Sequence, residues 1–259
     1  MDHAKAADEL LDMRRTGRIE RDLPTDLRPV DLEAAYAIQA LLVERLLPEG
    51  ERAIGYKCAC TGQIAQQALG IDRPVFGRLL SHTTSPSGIE LPAERFTHRV
   101  IEAEFGTRVG RDVVERDGGH TAESIAEYVE AVIPAVEIVD HRYADWSVGA
   151  LQVAADNAIH GWWIEGEPVT DWHGIDLGSA EVTVRANGEV ITTGSGANVL
   201  GHPLNVLAWL ADELPRFGRR LRAGDLVTTG VVTDVFEADR GDVITAEFAG
   251  LGSVELSFA

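Results

Sequence analysis

The run Val100-Ile101-Glu102-Ala103-Glu104-Phe105 carries two carboxylates two residues apart among apolar neighbours. In a β-strand, alternation puts Ile101, Ala103, Phe105, Thr107 and Val109 on one face and Glu102 with Glu104 on the other. Carboxylates so placed repel unless solvated, protonated or bound to a cation. A third acid, Glu137, lies inside the apolar run Pro134-Ala135-Val136-Glu137-Ile138-Val139, where burial is expected and a buried glutamate needs a partner. Three converging carboxylates would make a hard-cation site for Mg²⁺ or Mn²⁺, with positions left open for a substrate. The bland alternative is the solvated edge of an acidic protein. Lys57 sits in Ile54-Gly55-Tyr56-Lys57-Cys58-Ala59-Cys60-Thr61, flanked by small and apolar residues, and Lys5 is the only other lysine. It is either a partly buried functional amine or an ordinary lysine on a strand edge.

Other segments do not complete the chemistry they hint at. Cys58-Ala59-Cys60 lacks both the CxxC spacing and the second pair that zinc requires. Gly194-Ser195-Gly196 is not a nucleophile elbow, and with Gly201 it does not make GxGxxG. His160, beside Gly161 and Trp162, reads as a packed or capping histidine, and Trp162 with Trp163 as core or interface aromatics.

The elements that must position these residues change character along the chain. Ala4–Arg15 is an amphipathic helix closed by Gly17, and a second helix runs from Leu32 to Leu46 behind an Asp31 N-cap, ended by Pro48 and Gly50. From about Ile54, short apolar runs broken by turns predict strands, clearest at Val100–Val109, Ala135–Val139, Glu181–Ala186 and Val190–Thr193. Asn187-Gly188 marks a hairpin between the last two. Helices are expected at Ala122–Val132, capped by Thr121, and at Asn205–Glu213. Strands return at Leu226–Thr229, Val243–Ala249 and Ser253–Phe258. The reading is an α+β protein, with a helical region at 1–50 packed on a β-rich body at 51–259.

The 259 residues suffice for a substantial core without disulfides. A net charge of −19, spread along the chain, disfavours nucleic-acid and membrane-surface partners. It leaves room for an anionic small substrate only if the site is locally positive, through a metal or a lysine. No window is long and apolar enough to span a membrane, and no signal-peptide core follows the acidic N-terminus. Two cysteines form no disulfide framework and fit a reducing cytoplasm.

In this order, the segments resemble the 2-keto-4-pentenoate hydratase and 4-oxalocrotonate decarboxylase family of the fumarylacetoacetate hydrolase superfamily. The matching runs begin with Gly55-Tyr56-Lys57, Leu69-Gly70-Ile71-Asp72-x-Pro74-x-Phe76-Gly77 and Ile101-Glu102-Ala103-Glu104. They continue through Ala135-Val136-Glu137, Ala155-Asp156-Asn157-Ala158, Leu200-Gly201-His202-Pro203 and Gly224-Asp225-Leu226-Val227-Thr228-Thr229-Gly230. Gly241-Asp242 and Leu251-Gly252-Ser253-Val254 close the series. The resemblance implies a mixed β-roll body with flanking helices, assembled as a homo-oligomer and able to join a pathway enzyme in a complex. It implies that Glu102, Glu104 and Glu137 hold Mg²⁺ or Mn²⁺ and that Lys57 is the active-site lysine. Thr229, Gly230 and Asp156 would meet a small anionic 2-oxoacid or dienol. The implied reaction is hydration of a 2-oxo-4-enoate, with decarboxylation, tautomerisation, cyclisation or a non-catalytic partner role as alternatives.

Two positions depart from the family pattern. Val75 stands where relatives often carry an aspartate that partners the lysine, and Ala59-Cys60 replaces a glycine common after that lysine. Without the aspartate, Lys57 is expected to have a lower pKa than in an aspartate-bearing relative, burial and a nearby cation both disfavouring the ammonium. Asp72, His82, Asp156 or His160 are the candidates to replace the aspartate in proton transfer.

Overall fold

A computed structural model describes residues 1–145 and 148–259. Two helices open the chain, α1 (His3–Thr16) and α2 (Leu32–Leu46). Asp2 caps α1 by accepting from the Lys5 N–H at 3.1 Å, and Gly17 ends it in the left-handed conformation that glycine adopts without penalty. Asp31 caps α2 through the Ala34 N–H at 2.8 Å. The buried stripes Ala6, Leu10 and Met13 of α1 and Ala35, Ile38 and Leu42 of α2 join the same apolar core as the sheets.

The body follows as β1 (Ala53–Ala59), α3 (Gln63–Leu69), β2 (Val75–Leu80), β3 (Thr84–Pro86), β4 (Ile89–Leu91), β5 (Val100–Val109) and α4 (Ala122–Ala126). Then come β6 (Val129–Val139), α5 (Ala150–Ala155), β7 (His160–Glu165), β8 (Glu181–Ala186), β9 (Glu189–Ser195) and α6 (Pro203–Glu213). The chain ends with β10 (Leu226–Val231), β11 (Phe236–Glu237), β12 (Val243–Phe248) and β13 (Gly252–Phe258). One mixed sheet runs β2-β1-β10-β5-β6-β7-β3, with β11 added beside β5, and a second runs β4-β13-β12-β8-β9. The expected α+β architecture, helices first and a mixed β body after, is the one observed. No helix among the described residues is long and apolar enough to cross a membrane.

The β8–β9 hairpin turns at Asn187 and Gly188, with φ of 52° and 85°, as the Asn-Gly pair demands. The expected helix Ala122–Val132 is corrected. Thr121 does cap a helix, but α4 stops at Ala126 and Val129 begins β6, extending the expected Ala135–Val139 strand backwards. The reason is tertiary: β5 is ten residues long and pairs with β6 from Val109↔Val129 to Val100↔Val139. That ladder, with β-branched Val129, Val132 and Ile133, overrides a local helical pattern.

Candidate metal centre and active site

Alternation on β5 sorts the side chains as the sequence requires. Phe105 faces the second sheet, its ring 5.3 Å from that of Phe248, while Glu102 and Glu104 point to the opposite face. Register then carries that face across the sheet. Glu102 is directly opposite Glu137 on β6, and Lys57 on β1 is opposite Thr228 on β10, itself opposite Gly106 on β5. Lys57, Thr228, Glu104, Glu102 and Glu137 therefore share one face, drawn from four strands.

One carboxylate oxygen from each of Glu102, Glu104 and Glu137 lies within 4.8 Å of the others. Glu104 and Glu137 are fully buried, and Glu102 keeps 18% of its side chain exposed, which makes it the mouth of the group. Both oxygens of Glu104 are buried and make no hydrogen bond among the described residues. Two like charges at this separation repel by about 3–4 kcal/mol in a partly screened protein environment. Three ionised carboxylates could not be sustained without compensation. Lys57, 1% exposed, supplies one positive charge: its Nζ is 2.9 Å from Glu137 Oε2 and 4.0 Å from Glu102 Oε2. Two negative charges remain, the complement of a divalent cation, and all the donors are hard carboxylate oxygens, both of Glu104's without a hydrogen bond. The residues fit Mg²⁺ or Mn²⁺.

Burial raises the Glu104 pKa well above the usual carboxylate range, reinforced by the charges of Glu137 and Glu102, while the charge of Lys57 pulls the other way. Burial likewise pushes Glu102 up to about 7, against the pull of Lys57. Glu137 goes down: burial alone would raise it, but Lys57 and His160 outweigh burial. Without a cation, Lys57 goes up. Burial would lower it, yet the facing charges of Glu137, Glu102 and Glu104 hold the ammonium above the ordinary lysine range.

His160, read from sequence as a packed histidine, is buried with a specific task. Its Nδ1 is 2.7 Å from Glu137 Oε1 and its Nε2 is 3.1 Å from Thr83 Oγ1. Burial lowers its pKa despite Glu137, so the neutral imidazole donates from Nδ1 to the carboxylate and accepts at Nε2. The left-handed turn Asn157-Ala158-Ile159, with φ of 53°, 51° and 52°, delivers it there. Of the four groups weighed as substitutes for the missing aspartate, His160 alone contacts the cluster. Asp72 is an exposed partner of Arg73, and His82 contacts neither Lys57 nor the carboxylates. Asp156, expected against the substrate, has its carboxylate taken up by Arg14 at 2.6 Å and Arg142 at 3.5 Å.

Val75 is fully buried on β2, opposite Ala59 and on the face of Lys57, two residues along from the Gly77 that pairs with Lys57. Cys60 is left-handed, with a φ of 58°, at the place where the family pattern prefers glycine. Thr229 is fully buried and donates its hydroxyl to Phe105 O at 2.9 Å, so its side chain is turned away from the carboxylate face. Gly230 has a φ of 90°, and a Cβ there would lie 1.9 Å from Thr61 Oγ1. The β10–β5 register shifts between Thr228 and Val231, a bulge at that very pair. Thr228 was missed as a site residue, although its alternation with Thr229 places it on the carboxylate face.

The family model for the C-terminal part of fumarylacetoacetate hydrolase matches residues 63–259. A 2-keto-4-pentenoate hydratase of Paraburkholderia xenovorans (strain LB400) is 33% identical over 254 residues, covering 98% of this chain and 94% of that protein. A 4-oxalocrotonate decarboxylase of Pseudomonas putida is 34% identical over 224 residues, covering 86% and 84%. The solved 4-oxalocrotonate decarboxylase of Pseudomonas putida G7, complexed with magnesium and adipate, superposes with a TM-score of 0.92 at 29% identity, covering 99% of this chain and 97% of that one.

Proposed function

The chain belongs to the fumarylacetoacetate hydrolase family, and on that premise we propose that it is a metal-dependent hydratase adding water to a 2-hydroxy-2,4-dienoate to give a 4-hydroxy-2-oxoacid. The observation that carries this reading is the buried lysine set against three converging carboxylates. Glu102, Glu104 and Glu137 would hold Mg²⁺ or Mn²⁺. When bound, the cation supplies positive charge and Lewis acidity toward the carboxylate and adjacent oxygen of a 2-oxoacid.

The chain's own residues supply the rest. Ketonisation of the dienol forms a C–H bond at C5 as the 2-hydroxyl gives up its proton; the Lys57 ammonium, kept protonated by Glu137, is the buried donor to C5 and takes the 2-hydroxyl proton in exchange. Hydration of the resulting 2-oxo-3-enoate places the water oxygen on C4, and the proton released by that water is relayed through Lys57 Nζ to C3. Glu102, the exposed carboxylate, marks the side from which substrate and water enter. The Thr229-Gly230 backbone at the bulge faces the substrate carboxylate. Asp156 acts at one remove, fixing Arg14 and the turn that presents His160; Arg14 also donates to His160 O at 3.0 Å. Val75 closes the lysine's side of the site with an apolar wall.

A decarboxylase reading is favoured by one feature, the near-complete superposition on a 4-oxalocrotonate decarboxylase. The experiment that separates the two is ultraviolet monitoring of a panel of 2-hydroxydienoates with metal-loaded protein, followed by product identification. Hydration yields the 4-hydroxy-2-oxoacid, whereas release of CO₂ from substrates with a second carboxylate would replace the hydratase assignment. The two cysteines are free thiols, which supports a cytoplasmic setting. The assembly is read as a homo-oligomer, as the family resemblance implies.

A further inference from the structure

A half-open hollow of about 270 Å³ lies beside His160, next to the carboxylate cluster, but is lined by none of Lys57, Glu102, Glu104 or Glu137. Its charged lining is three arginines, Arg14, Arg95 and Arg142, against a single carboxylate, Asp140. Arg14 is fully engaged, with Asp156 and with two backbone carbonyls. Arg142 is not. Its side chain is 2% exposed, and only Nη1 is satisfied, by Asp140 Oδ2 at 2.7 Å. Its Nε and Nη2 are buried without a hydrogen bond, Nη2 standing 3.5 Å from Asp156. Arg95 makes no ion pair among the described residues and rests over the Trp162 ring at 4.5 Å. His82 adds a buried Nδ1 with no hydrogen-bond partner.

Around one hollow the chain has thus gathered several buried donors without a hydrogen bond, on Arg142 and His82, and the exposed guanidinium of Arg95, which has no carboxylate partner among the described residues. Buried donors left unmade are costly. An anion in the space removes that cost and pairs Arg95. The planar guanidinium fork matches a carboxylate, and Leu46, Leu80 and Phe96 give the remaining wall an apolar surface suited to a short hydrocarbon chain. We propose that this cavity is a binding site for a short-chain carboxylate, held by Arg95 and Arg142 and separate from the metal centre. His160 is the shared wall between the two.

Calorimetric titration of n-butyrate into the full chain tests the site, once with Mg²⁺ loaded and once after divalent cations are stripped on a chelating resin. One butyrate should bind per chain in both states, with inorganic phosphate weaker. Arg95→Gln should weaken butyrate by about tenfold or more, the scale of a lost charged hydrogen bond. His82→Gln is a milder second variant, which should weaken butyrate in the same direction if Arg95→Gln does not fold. Binding that requires Mg²⁺, that is indifferent to both substitutions, or that never saturates overturns the proposal. Phosphate binding tighter than butyrate overturns the assignment of ligand class.

Discussion

Lys57 Nζ stands 2.9 Å from Glu137 Oε2, and both side chains are sealed from solvent. The pair fixes the lysine as an ammonium and the glutamate as a carboxylate before any substrate arrives. Lys57→Met keeps the stem and removes the charge and the proton. Turnover should fall by about 10²–10⁴-fold, the range for a lost acid–base group. Breaking one side of a buried pair should also destabilise the metal-free protein by about 3–5 kcal/mol. Steady-state rates and thermal melts read the two effects separately, and a near-normal rate would leave Lys57 a structural residue.

The raised pKa values of Glu102 and Glu104 give the metal-free protein a distinctive pH dependence. A carboxyl whose folded pKa exceeds its unfolded value stabilises the fold below the unfolded pKa, near 4, and loses that stabilisation as pH rises through the folded pKa. For Glu102 that value is about 7. The metal-free chain should therefore weaken between about pH 4 and 7. The melting-temperature gain from added Mg²⁺ should grow over the same window, because protons compete with the cation. A gain that is flat or falls with pH would contradict the assignment.

Glu104→Gln removes a ligand and, at the same time, a buried carboxyl whose ionisation burial and two neighbouring carboxylates oppose. The metal-free variant should be as stable as the parent or more so. Its Mg²⁺ affinity should fall and its turnover should be lost. Chelator should abolish turnover of the parent, and Mg²⁺ or Mn²⁺ should restore it. Calorimetry with Mg²⁺ and melts without it give the two halves of the test.

His160 positions Glu137 through the 2.7 Å contact to Oε1. Loss of such an outer partner typically costs about 10–100-fold in metal affinity or activity. His160→Leu should show that loss, and His160→Gln, which can still donate, should recover part of it. Equal effects of the two substitutions would assign His160 to packing alone.

Val75→Asp places a carboxylate on the face of Lys57, in a fully buried position. The new group must share Lys57 with Glu137, so the acidic limb of the pH–rate profile should shift. If the parent hydrates its substrate with His160 in the aspartate's place, the product stays the same. If it diverts the dienol to another fate, the variant should gain hydrated product. An unchanged profile and product would mean that Val75 does not border the reacting groups.

The sequence by itself determined which residues share a face. The two-residue period of Val100–Val109 separates Glu102 and Glu104 from Ile101, Ala103 and Phe105 in any strand, and the Asn187-Gly188 turn and the Asp31 and Thr121 caps are equally local. Such features depend on φ/ψ preferences and side-chain periodicity, which a short window contains. Where α4 ends was not legible, because the answer lay in the length of β5, more than ten residues away in the chain. The tertiary structure alone decided the charge state of the site. Glu137 is 80 residues from Lys57, and only sheet register brings them within 2.9 Å, where the facing charge outweighs burial and raises the lysine pKa. It also decided that His160, and not Asp72, His82 or Asp156, reaches the carboxylates, because a left-handed turn aims it there while Asp156 is held by two arginines. Burial and Coulomb energy depend on distances through space, and a linear sequence does not contain those distances until the strands have paired.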